Sequence, residues 1–69
     1  MPPDILVHHD GSVSLVLLQT EVAWQWATEH VQLDEAQWLG EALVVEPRSL
    51  GPLLEGMQAD GLTVRIDGG

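Results

Sequence analysis

The order of apolar, polar and turn residues predicts an α+β domain of the form ββαβαβ, a four-stranded mixed sheet with two helices on one face. Three stretches carry this reading. Asp4 to Leu18 alternates about an Asp10-Gly11 pair, Thr20 opens a segment with helical apolar spacing, and Gly40 to Asp67 reads as strand, helix, strand.

In the first stretch, Asp10-Gly11 suits a two-residue type I′ turn, which sets His9 opposite Ser12, Val7 opposite Ser14, Leu6 opposite Leu15 and Ile5 opposite Val16. One face of the hairpin then carries Leu6, His8, Val13, Leu15 and Leu17; the other carries Ile5, Val7, His9, Ser12, Ser14, Val16 and Leu18. The first holds fewer polar residues and is the expected core face.

Thr20 is a good N-cap, and Glu21 places a negative charge at the positive helix end. Val22, Ala23, Trp26, Ala27 and His30 form the inward stripe of a helix of about a dozen residues. Trp24 falls off that stripe, with Thr28 and Val31, on the side where solvent is expected. Beyond it, Asp34 is a candidate cap for one short helical turn ending at Gly40, with Trp38 closing one end of the core.

Ala42 to Val45 is a short apolar run suited to a buried strand, which Glu46-Pro47 stops. With Ser49 as cap, Pro52 falls in the first helical turn, where its missing N–H costs little. Leu50, Leu53, Leu54 and Met57 make the apolar stripe, Asp60-Gly61 ends the helix, and Leu62, Val64 and Ile66 alternate with polar neighbours as a half-buried strand. With right-handed crossovers and the strands in chain order across the sheet, both helices cover one face. The other is left bare, with Ile5, Val7, Val16, Leu18 and Val44 expected on it. Such a patch on a small protein marks an interface, and a two-fold homodimer is the first candidate.

The 69 residues make one domain, residues 1–69, with a core small enough to profit from a partner. Eleven acidic residues stand against Arg48 and Arg65, with no lysine, for a net charge of −9. That surface repels phosphate backbones and anionic lipid, so direct binding to nucleic acid or membrane is not expected. It serves solubility, or it meets a basic protein surface; the carboxylates are scattered singly rather than gathered in a run. Absence of cysteine, of a basic-then-apolar leader and of an apolar run of about 20 residues fits a soluble, cytoplasmic protein.

No catalytic, metal or nucleotide motif stands out. His8 and His9 alternate across a strand and His30 lies on a helix, so no third ligand is placed by spacing; neither a metal nor a cofactor is expected. The carboxylates lack a neighbouring nucleophile or substrate clamp, and a non-enzymatic protein is expected. Arg48 sits at a strand-to-helix junction, where α/β sheets place binding groups, although Glu46 is a ready ion-pair partner. Trp24, Thr28, Val31 and Arg48 are the candidate contacts for a protein partner, Trp24 foremost. The closing Gly68-Gly69 resembles the tails of ubiquitin-like and sulfur-carrier proteins, which implies a carboxylate activated for conjugation; the second helix is long for that fold.

The chain also resembles a group of short bacterial proteins of plasmids, prophages and other mobile elements. The residues that carry the resemblance are His9-Asp10-Gly11-Ser12, Trp26, Gln37-Trp38-Leu39-Gly40, Ala42-Leu43-Val44-Val45-Glu46-Pro47-Arg48, and Gly56-Met57 through Asp60-Gly61-Leu62. Trp24 and Pro52 depart from the pattern, where a polar residue and a helix former are expected. The resemblance implies the fold and a mobile-element setting, and brings no activity. The leading expectation is a non-enzymatic, acidic interaction module, homodimeric, of anti-CRISPR or antitoxin type, acting on a host nucleic-acid-binding protein. A carrier using Gly69 and a structural protein are the alternatives.

Overall fold

A computed structural model describes residues 2–32 and 34–67. Seven elements follow in order: β1 (Ile5–Asp10), β2 (Val13–Leu18), α1 (Glu21–His30), β3 (Gln37–Leu39), β4 (Ala42–Val45), α2 (Pro47–Ala59) and β5 (Val64–Asp67). The strands form one five-stranded mixed sheet in the order β3-β4-β2-β1-β5, β1 and β5 being parallel and the other neighbours antiparallel.

Two corrections to the expected topology follow. Gln37–Leu39 is an edge strand, not a helical turn, and pairs with β4 across Gly40-Glu41. Gly40 has φ +62, the left-handed conformation that a glycine-first two-residue hairpin demands. Because β3 turns back into β4, β4 runs antiparallel to β2. The connection through α1 therefore leads from β2 to β3, which runs parallel to it with β4 between them, rather than to the Ala42–Val45 strand. The last strand lies beside β1 at the far edge, so that α2 spans β2 and β1 on its way from β4 to β5.

The first hairpin turns at Gly11-Ser12, one residue later than expected. Gly11 has φ +64 and, among the described residues, only glycines have positive φ, so Asp10 stays in its strand and pairs with Val13. The register thus moves by two, with Val7 opposite Val16 and Ile5 opposite Leu18. An even shift leaves the two faces as assigned. Their roles are reversed, however: Ile5, Val7, Val16 and Leu18 are the buried face, packed with Leu43 and Val45 against Ala23, Trp26, Ala27, Leu50 and Met57 of the helices. Its buried polar member, Ser14, is only 1% exposed and shares a 3.0 Å hydrogen bond with Nδ1 of His9, so the serine is buried with its hydroxyl satisfied.

The helix ends follow local chemistry. The Thr20 hydroxyl accepts from the N–H of Ala23 and donates to Asp4 at 2.7 Å, tying α1 to the start of β1. At the other end of α2, the Leu62 N–H reaches the Met57 carbonyl and the Gly61 N–H reaches Gln58, a Schellman pair. The start of α2 differs from expectation: Glu46 is the N-cap, Pro47 occupies the first position, and Pro52 is inside the helix. Proline is pre-shaped for that first position, which brings the start forward. Pro52 then leaves the Arg48 carbonyl without its usual N–H. Gly51 eases the strain, since the residue before a proline resists helical geometry partly through its Cβ.

Candidate functional site

Both helices cover the face of Ile5, Val7 and Val16, so the opposite face of the sheet is open. The strand register defines it. Leu6, Leu17, Ala42 and Leu39 line up across β1, β2, β4 and β3, and His8, Leu15, Val44 and Gln37 form the next row. Leu6, Val13, Leu15, Leu17 and Val44 are each half-buried, and Leu39 at the edge is 57% exposed. Charge is confined to the β1–β5 side of this face, where Arg65 stands opposite Leu6, and Asp67 opposite His8 with 3.6 Å between the imidazole Nδ1 and the carboxylate.

An open apolar face under a two-helix layer is thus present, with different residues from those expected. Ile5, Val7, Val16 and Leu18 are at most 8% exposed and are enclosed by the helices, so they are corrected from interface to core. Val44 alone of the five lies on the open face. The error came from the hairpin, whose two faces are both apolar, with Ser14 weighing against the side that is in fact buried.

The four expected partner contacts are not brought together. Trp24 is 42% exposed and stacks on Trp38, ring centroids 5.6 Å apart and planes 11° from parallel. Thr28 is exposed and turns its hydroxyl back to the carbonyls of Trp24 and Gln25. Val31 is half-buried against the core. Arg48 donates to Glu46 at 3.1 Å from the first turn of α2, the ion pair foreseen for it.

The sequence does not point to the Trp24–Trp38 pair, because Trp38 reads there as part of a helical turn; as a β3 residue opposite Leu43 it lies on the helix side, within reach of α1. The stack borders a cleft of about 470 Å³ lined by Leu18, Trp24, Trp38, Gly40 and Glu41. A second cleft, of about 320 Å³, lies where β4 meets α2 and includes Glu35, Glu46 and Ser49 in its wall.

The histidines are held apart. His8 is on the open face, His9 bonds Ser14 on the other, and His30 stacks on Trp26 at 4.3 Å. Among the described residues no three His, Asp or Glu side chains converge as metal ligands would. Among the described residues no helix is long and apolar enough to cross a membrane. Gly68 and Gly69, on which the carrier reading depends, lie outside the described residues.

No protein-family model matches the chain, and neither a curated protein nor a solved structure shows significant similarity to it.

Proposed function

We propose that this protein is a non-enzymatic interaction module that homodimerises through its open sheet face. The carrying observation is the patch of Leu6, Leu15, Leu17 and Val44, from two adjoining rows of a face that no helix covers. A contiguous apolar surface of that kind on a chain this small is an interface signal.

The charge distribution favours a second copy as the occupant. Two molecules of net charge −9 repel, so they can meet only through a surface poor in carboxylates. The open face has Asp10 and Asp67 at its margin, while the remaining acidic residues lie on the helices, turns and loops around it. Arg65 and Asp67 stand two residues apart on β5. A two-fold axis crossing the strand between them sets Arg65 against the partner's Asp67, and the reverse. Dimerisation also leaves the acidic helices outward on both copies.

That outward surface is the part we assign to a different partner, a protein with a basic surface. In the mobile-element setting that the sequence resembles, the fitting form is an inhibitor or modulator of a nucleic-acid-binding protein. Exchanging Glu21, Glu29 and Glu55 for lysine tests it by pull-down with a basic partner. Loss of binding supports the electrostatic reading, and unchanged binding contradicts it.

A further inference from the structure

We infer that the cleft beside the Trp24–Trp38 stack is a receptor for a single arginine side chain of a basic partner protein. The inference rests on the interaction-module reading and names the chemistry of its outward contact.

Four features of the cleft carry it. Parallel indoles present their electron-rich faces along one direction, and a planar guanidinium stacks on such a face with a gain that grows as water is excluded. Trp24 keeps 42% of its surface exposed in the stack, so part of the ring is open to a ligand. Glu41, in the turn that closes the cleft, supplies the negative charge that separates a cation from a neutral apolar group. Leu18 contributes an apolar wall for the methylene stem of a long side chain.

Among the described residues no basic side chain fills this site. The chain has two basic residues besides histidine. Arg48 is engaged by Glu46, and Arg65 is on β5 at the opposite edge of the five-stranded sheet, roughly 19 Å from β3 across four strand spacings. A cationic ligand has to come from another molecule, and the charge of −9 draws it in. The cleft lies in the helix layer and the dimer face lies beneath the sheet, so the two surfaces are occupied independently.

The test is a two-dimensional NMR titration that follows the three indole N–H signals against acetyl-Gly-Arg-Gly-amide, with acetyl-Gly-Gln-Gly-amide as the neutral control. Saturable shifts of Trp24 and Trp38 with the arginine peptide, absent with the glutamine peptide and with Trp26 unmoved, are the expected result. Glu41→Gln and Glu55→Gln remove the same charge. The first is expected to weaken binding about five-fold or more, the second less than about two-fold, as a local rather than a general attraction requires. Trp24→Ala is expected to abolish saturation. Absence of saturable shifts, or equal weakening by the two glutamine variants, overturns the receptor. Either result leaves the dimer untouched, because the oligomeric state is read separately from the solution mass.

Discussion

The indole N–H of Trp26 donates to the carboxylate of Asp60 over 2.6 Å, and this bond joins the middle of α1 to the C-cap of α2. Around it the two helices are fitted closely. The His30 ring stacks on Trp26, and a Cβ built on Gly56 would lie 3.3 Å from Cζ2 of the indole. With Trp26 committed inward, Trp24 on the other side of α1 is left to meet β3.

Trp26→Phe keeps most of the apolar volume and removes the donor. A hydrogen bond to a charged group, discounted because Asp60 is partly exposed, is worth about 1–2 kcal/mol. The melting temperature is expected to fall by roughly 10 °C for a domain of this size. Gly56→Ala presses on the same ring, which Asp60 and His30 hold in place, and is expected to forfeit the gain of about 1 kcal/mol that alanine brings over glycine inside a helix. A thermal scan in which Trp26→Phe melts with the wild type and Gly56→Ala melts above it would show that the helix contact contributes nothing.

Asp4 gives the fold an acid-sensitive joint. Its carboxylate accepts from the Thr63 N–H at 3.0 Å and from the Thr20 hydroxyl at 2.7 Å, linking β1, β5 and the α1 cap. The backbone bond from Thr63, then the Thr20 hydroxyl, hold its pKa below the usual carboxylate value. A group more acidic in the folded state stabilises the fold above its unfolded pKa, and that contribution disappears as pH falls through the native value. Urea midpoints measured from pH 6 down to pH 2 should therefore fall less steeply for Asp4→Asn than for wild type. Parallel slopes would remove Asp4 from the account.

Pro52 is the residue that the fold accommodates least well. Pro52→Ala restores the N–H that the Arg48 carbonyl lacks and is expected to stabilise α2, by about 1–2 kcal/mol once the looser unfolded chain is allowed for. Gly51→Ala in the wild-type background, despite open space around the new methyl, should bring no gain, because Pro52 follows it. Chemical denaturation decides both, and a stabilised Gly51→Ala would contradict this reading of the helix.

Most elements were legible because their signals are local: Thr20 caps α1, Asp60-Gly61 closes α2, and the apolar run of β4 needs no partner to be seen. Two things were not. Gln37–Leu39 is a three-residue strand with too few residues to show a period, and its real signal was Gly40-Glu41 as a two-residue turn between Trp38-Leu39 and Ala42-Leu43. Which hairpin face goes inward is decided by contacts that no local pattern contains. Both are apolar, and the serine that argued against one is satisfied there by His9. The residues proposed for an interface moved with that choice, while one face of the sheet is open, as expected.

Ionic strength separates the two surfaces. Salt screens the repulsion between acidic copies, so the dimer should tighten as sodium chloride rises from about 50 to 500 mM, whereas arginine peptide binding should weaken over the same range. Sedimentation and NMR titration at the two salt concentrations give the signs. A dimer that loosens with salt would mean that ion pairs, rather than apolar contact, hold it.

The central claim is the open sheet face, and the most direct measurement is solution mass by light scattering after size exclusion, at micromolar concentration, for wild type, Leu15→Glu and Val16→Glu. These neighbours point to opposite faces, Leu15 to the open side and Val16, with no exposure, into the core. The account predicts a wild-type dimer of twice the 7.5 kDa chain mass, a folded monomer for Leu15→Glu, and an unfolded chain for Val16→Glu. A monomeric wild type, or a Leu15→Glu variant that remains dimeric, would contradict it.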